Sequence, residues 1–100
     1  MQLDRVSEIL GTLGHSTRLA ILRTLAPYSR GEHPHGLPAG EIDRRLGIPP
    51  ATASFHLKEM TTKGLLRQER DGRSIRYMID VAALLQALDF LVGDICSASS

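Results

Sequence analysis

The sequence predicts a mostly α fold of about five helices with a small two-stranded β-hairpin, in one domain over residues 1–100. Three observations carry that expectation. Apolar residues recur at helical steps near both ends of the chain. A glycine followed by two prolines separates two short amphipathic stretches in the middle. Beyond them, two segments of alternating character flank Asp71-Gly72.

The first helix rests on Leu3, Val6, Leu10 and Leu13, spaced three and four apart, with Gly11 and Gly14 weakening its end. Ser16 is a suitable cap for a second helix carrying Leu19, Ile21, Leu22 and Leu25, which Pro27 closes. His15 is expected beside that cap as a structural residue. The stretch 28–36 reads as loop, with Ser29, Gly31, Pro34 and Gly36. Pro38 suits the first turn of a third helix, because its missing amide proton would be unpaired there anyway. Ile42 and Leu46 form the apolar edge of that helix, and Gly47 fits the left-handed position after its end. Pro49-Pro50 cannot continue a helix but can open one. The Gly47-Ile48-Pro49 break therefore has helix-turn-helix spacing.

On the fourth helix Ala53, Leu57 and Met60 form the inward edge. Thr52, Phe55, Lys58 and Glu59 fall away from it, with Ser54 and His56 on the shoulders, and Gly64 ends the helix. Residues 66–70 and 75–79 read as the two strands of a wing. Ile75, Tyr77 and Ile79 face one way there, and Arg76 and Met78 the other. Asp71-Gly72 is a tight-turn signal, since glycine tolerates positive φ. Val81, Leu84, Leu85, Leu88, Leu91, Val92 and Ile95 give a final helix with a seam-like apolar stripe.

The formal charge is only +1, but its distribution is uneven. From Arg44 to Arg76 there are eight basic and three acidic residues, a net of +5; the remainder holds four basic and eight acidic ones, a net of −4. A basic segment joined to an acidic, apolar-striped remainder is the footprint of a nucleic-acid-contacting half and an association half. A short polar-edged helix beside an arginine-bearing hairpin suits the major groove of DNA and its flanking backbone. One cysteine, Cys96, excludes an intrachain disulfide. Asp4 and Glu8 break any leader-like opening, and no apolar run approaches spanning length, so a cytoplasmic protein with no membrane partner is expected. No carboxylate pair, nucleophile–base spacing or phosphate-cradling glycine loop stands out, which argues against an enzyme.

The element order, together with Leu13-Gly14-His15-Ser16-Thr17-Arg18-Leu19-Ala20-Ile21-Leu22, Ser54-Phe55-His56-Leu57-Lys58-Glu59-Met60 and Asp71-Gly72-Arg73-Ser74-Ile75-Arg76-Tyr77, resembles the ArsR/SmtB family of winged helix-turn-helix repressors. The resemblance covers roughly residues 3–96. It implies a homodimer paired through the first and last helices (about 3–13 and 81–95), repressing transcription from an inverted-repeat operator and released by an inducer. The dimer interface would then use Leu3, Val6, Leu10, Leu84, Leu88, Leu91 and Val92. Double-stranded DNA and a second copy of the chain are the implied partners.

With the fourth helix in the major groove, Thr52 and Ser54 face base edges or phosphates. Backbone amides at Ala51 and Thr52 offer an anion site at the helix start. His56 either donates to a phosphate or is a partly buried structural histidine; the resemblance supports Ser54 and His56 as DNA-facing. Phe55 either meets a thymine methyl or packs on a neighbouring helix. Lys58 adds charge. Arg73 sits at the wing tip near the minor groove, with Arg70 and Arg76 along the backbone.

The family's inducer sites are mostly missing. The third-helix segment 37–42 has no thiol, and the last helix offers Asp80 and Asp89 but no histidine, so a zinc site is not expected. The His33-Pro34-His35 pair is expected to face solvent. The run 88–96 resembles the ending of the arsenic-responsive subgroup, with Ile95 in place of the first of two adjacent thiols. As(III) or another soft metalloid prefers two or three thiolates, and one Cys96 per chain supplies at most two per dimer. Cys96 is thus a thiol or redox sensor, a degraded ligand, or an inert core thiol. Two further readings stay open: a winged-helix protein-interaction adaptor, and a constitutive DNA-binding regulator without inducer.

Overall fold

In the computed structural model, which describes residues 3–99, the chain runs α1 (Leu3–Leu13), α2 (Ser16–Leu25), a 3-10 turn (Ala26–Tyr28), β1 (Leu37–Pro38), α3 (Ala39–Leu46), α4 (Pro50–Thr62), β2 (Leu66–Asp71), β3 (Ser74–Ile79) and α5 (Val81–Ser99). This is the winged helix-turn-helix order, with one addition. The sheet has three antiparallel strands, in the order β1-β3-β2, rather than two. Pro38 lies not in the first turn of α3 but one residue before it, extended at φ −71° and ψ 155°, where it stands opposite Arg76. Gly36 permits this pairing: its φ is +63°, and a Cβ there would collide with the Tyr77 carbonyl oxygen.

The turn between α3 and α4 follows the sequence signal closely. Gly47 is left-handed at φ 65°, its amide donates to the Arg44 carbonyl, and the Ile48 amide donates to the Asp43 carbonyl at 3.1 Å. Those two bonds satisfy carbonyls that the end of α3 would otherwise leave open. Pro49 is then extended and Pro50 opens α4.

The wing turn sits one residue later than the Asp71-Gly72 signal suggests. Asp71 pairs with Ser74, so the two-residue loop is Gly72-Arg73. Gly72 has φ +62° and no residue other than glycine has positive φ among the described residues. A two-residue hairpin led by glycine needs positive φ at its first position only. The strand alternation also departs from expectation at its base: Met78 is as buried as Ile79, because both faces of the sheet are covered there.

One core gathers Ile9, Ile21, Leu25, Ile42, Leu57, Met60, Leu65, Leu66, Ile79 and Ala87, so each of the five helices contributes. The apolar stripe of α1 is rotated from the expected one. Val6, Ile9 and Thr12 point inward, while Leu3 is 66% exposed. Thr12 can be buried because its hydroxyl donates to the Glu8 carbonyl at 2.7 Å. On α2, Ile21 and Leu25 are buried and Leu19 is exposed.

Three polar residues fix the corners. His15, not Ser16, caps α2: its Nδ1 accepts the Thr17 amide at 3.2 Å. Buried Ser29 donates to the Leu25 carbonyl at 2.8 Å and accepts the Ile79 amide at 2.9 Å, tying the end of α2 to β3. Asp80 accepts the Ala83 amide at 3.1 Å and so caps α5, which gives this acid a structural role at the start of the last helix.

Candidate nucleic-acid interface

Helix α4 divides cleanly into two edges. Ala53, Leu57 and Met60 have no exposed surface, whereas Ala51, Thr52, Ser54, Phe55 and Lys58 are exposed. The inner edge locks the helix onto α3 and β2, so the outer edge projects from a rigid base. Phe55 is 60% exposed, so most of its ring is open to solvent, while Arg18 of the neighbouring α2 lies 6.0 Å from its centroid.

An open cleft of about 460 Å³ separates α4 from the wing, lined by Ser54, Lys58, Thr62, Gln68 and Tyr77 among others. It joins the outer edge of α4 to the sheet in one continuous surface. Gln68 and Thr62 carry no signal in the sequence. Thr62 reaches this surface from the last turn of α4, and Gln68 because β2 pairs with β3 in the register Gln68 to Tyr77.

At the wing, Arg73 occupies the two-residue loop and Arg70 is exposed nearby. Neither has a carboxylate partner among the described residues, and neither does Lys58. Arg76 differs. Its Nε donates to Asp71 Oδ2 at 3.2 Å, and its Nη1 donates to the Gly36 carbonyl at 3.5 Å. It is therefore engaged in holding the wing and β1 together. Arg44 and Arg45 are likewise engaged: both donate to Glu41 and hold its carboxyl below the usual range, Arg44 contributing most. Lys63 lies 3.7 Å from Glu8. The charge free to meet a polyanion is thus smaller than the count from Arg44 to Arg76 suggests, and it is concentrated at Lys58, Arg70 and Arg73, with exposed Arg67, whose only partner among the described residues is the neutral Met78 sulfur, beside them on β2.

His56 is the clearest departure. Only 6% of it is exposed. Its Nδ1 accepts a hydrogen bond from Arg18 Nε at 3.1 Å, and its ring lies 4.7 Å from that of His15. Burial first, and then the charges of His15 and Arg18, push its pKa below the ordinary imidazole value. Of the two readings of this residue, the structural one matches the geometry. Arg18 was invisible as a site residue because its partner is 38 positions away.

The proposed interface residues at the chain ends divide as well. Val6 is 2% exposed and belongs to the protomer's own core, so it has no surface left to give a partner. Leu10, Leu84 and Leu91 are half-buried. Leu3, Leu88 and Val92 are exposed, and so are Leu85 and Ile95. Cys96 is exposed too, so its thiol lies outside the protomer's own core. Among the described residues no group of three His, Cys, Asp or Glu side chains could hold a metal ion, and no helix is long and apolar enough to cross a membrane.

Comparisons with known proteins agree with this geometry. A helix-turn-helix domain model matches residues 13–69. The chain is 30% identical over 96 residues to the uncharacterized HTH-type transcriptional regulator YbzH of Bacillus subtilis, covering 88% of this chain and 96% of that one. It is 35% identical over 68 residues to a second regulator of that organism, YceK, covering 68% of this chain and 63% of the relative, just under two thirds of its length. It is 28% identical over 94 residues to the biofilm growth-associated repressor of Xylella fastidiosa, covering 94% and 76%. Among solved structures, the homodimeric winged helix-turn-helix DNA-binding domain of Mb0332 from Mycobacterium bovis, a possible ArsR-family regulator, superposes with a TM-score of 0.69 at 28% identity, covering 98% of this chain and 86% of that one. An outward polar edge on α4, a basic wing beside it and these likenesses together place the chain in the ArsR family of winged helix-turn-helix transcriptional regulators, DNA-binding proteins rather than enzymes.

Proposed function

We propose that two copies of this chain pair through α1 and α5 and repress transcription by binding an inverted-repeat operator. The single observation that carries the reading is the outer edge of α4 joined by the cleft beside it to the wing strands, with Arg70 and Arg73 exposed toward the wing tip. In this arrangement the first two turns of α4 enter the major groove. Thr52 and Ser54 meet base edges or phosphates, Phe55 meets a thymine methyl, and the amides at the start of α4 face a phosphate. Arg70 and Arg73 follow the backbone toward the minor groove and supply affinity on any sequence.

One such helix reads only a few base pairs. Useful discrimination needs two, about one helical turn or a multiple apart, held by a fixed interface. The exposed apolar residues Leu85, Leu88, Val92 and Ile95 on α5, with Leu3 of α1, support that pairing. So does the homodimeric state of the Mycobacterium bovis domain, and the repressor among the relatives supports repression. A response to As(III) or another soft metalloid would have to draw on Cys96 of both protomers, because one thiolate does not hold such an ion.

The test is selection of duplexes from a random pool by the purified protein, followed by a gel shift of the winner against a scrambled competitor. The expected outcome is a palindromic winner bound at least about a thousandfold more tightly than the competitor. Equal affinity for both would contradict the reading.

A further inference from the structure

The corner where α1, α2 and α4 meet holds a cluster that base contact and wing charge do not use. Arg18 on α2 donates from Nε to His56 Nδ1 at 3.1 Å and from Nη1 to the Thr12 carbonyl, on α1, at 3.2 Å. Its Cζ lies 6.0 Å from the centroid of the Phe55 ring, and that ring meets His56 edge-on at 5.4 Å. His15, which caps α2, stands 4.7 Å from His56 on the other side. One guanidinium therefore bridges three helices. Its two acceptors are neutral, and no carboxylate pairs with it among the described residues. What this arrangement uses is the rigid planar fork of arginine, which a lysine ammonium cannot reproduce.

We infer that Arg18 is a positioning residue for sequence reading: through His56 it fixes the rotation of α4 about its own axis, and it supports Phe55 on the exposed edge. This rests on α4 being the helix that enters the groove. The bond needs Nδ1 of His56 unprotonated, with the ring's one proton on Nε2. A second proton turns that acceptor into a donor and sets an imidazolium against Arg18 and His15, the charged and titratable groups that face it from α2. Acidification therefore releases the pin. Two motifs far apart in the chain, residues 13–22 and 54–60, meet at this bond, which accounts for Arg18 and His15 without assigning either to DNA.

The experiment compares the wild type with Arg18→Lys and Arg18→Ala on two duplexes, the sequence selected from a random pool and a scrambled one, and reads the ratio of affinities. Loss of the pin lowers that ratio about tenfold in both variants, with little change on the scrambled duplex and in its salt dependence. A uniform loss on both duplexes with a shallower salt slope would mean that Arg18 touches phosphate itself, and would overturn the inference. A lowered melting temperature with the ratio unchanged would mean a merely structural role, and would overturn it as well. The wild-type ratio is expected to fall as pH drops below about 6.5, and His56→Asn, which keeps an acceptor but does not titrate, to have a flat profile. Independently of DNA, nitrogen NMR of the free protein is expected to show Nδ1 of His56 as a hydrogen-bonded acceptor; a proton on Nδ1 at neutral pH would remove the pin. A wild type with no discrimination would sink the operator reading alone, and this DNA-free measurement would then judge the pin.

Discussion

Helices α4 and α5 are both striped, yet they finish their outer faces in opposite ways. On α4 the apolar residues Ala53, Leu57 and Met60 are wholly buried, and what faces outward is mostly hydroxyl, amine and backbone amide, with one aromatic ring. On α5 only Ala87 is fully buried among the described side chains, while Leu85, Leu88, Val92 (57% exposed) and Ile95 face outward. A helix whose polar face is complete is suited to a polar, charged ligand. A helix that leaves a run of large apolar side chains exposed has an unburied hydrophobic face, which a like surface on a second copy can cover. The two halves of the proposed function, reading and pairing, are therefore separable by substitution.

The comparison breaks hardest at the inner edge of α4. Leu57→Ala is expected to cost about 2–5 kcal/mol of folding stability in a urea melt, since Leu57 is wholly buried in the core that the five helices share. A loss within about 0.5 kcal/mol would mean that α4 is not anchored as described. Leu88→Glu on the outer edge of α5 is expected to leave the protomer folded and raise the dimer dissociation constant about a hundredfold in sedimentation, because a charge would enter an apolar seam. An unchanged constant would remove Leu88 from the seam. Arg73→Glu is expected to weaken binding about tenfold on every duplex and to flatten the salt dependence, with sequence preference intact. Asp80→Ala is a smaller effect, about 1 kcal/mol of stability from the lost cap of α5, read in the same urea melt; no change would deny that cap a role.

A fifth expectation concerns pH. The folded-state pKa of His56 lies below the ordinary 6.5, so the unfolded chain takes up the proton first. Stability from this group is intact above 6.5 and falls as pH drops through the region below it. A pH series of urea melts checks the sign, and His56→Asn is expected to remove that component.

Patterns that act locally were legible from the residues. Gly47, the Pro49-Pro50 opening and the inner edge of α4 follow from backbone sterics and a period of 3.6, and they stand where the spacing puts them. Features set by distant partners were not. Ser29 reads as loop until β3 brings the Ile79 amide to it. Leu37-Pro38 is too short to signal a strand and becomes one only because Tyr77 and Arg76 lie opposite. The rotation of α1 that buries Ile9 depends on where α2 and α5 settle. For the site, the exposed residues of α4 and the wing tip were visible in outline. The burial of His56 and the engagement of Arg76 with Asp71 were not, because residue type alone does not tell a free cation from a paired one or an outward histidine from an inward one.

The most direct measurement is the stoichiometry and cooperativity of binding to a selected duplex, read by sedimentation of the labelled complex as protein is added. Two symmetry-related surfaces acting together predict a single step to two protomers per duplex, lost in Leu88→Glu while weak non-selective binding persists. A stable complex of one protomer per duplex with full sequence preference would contradict the account.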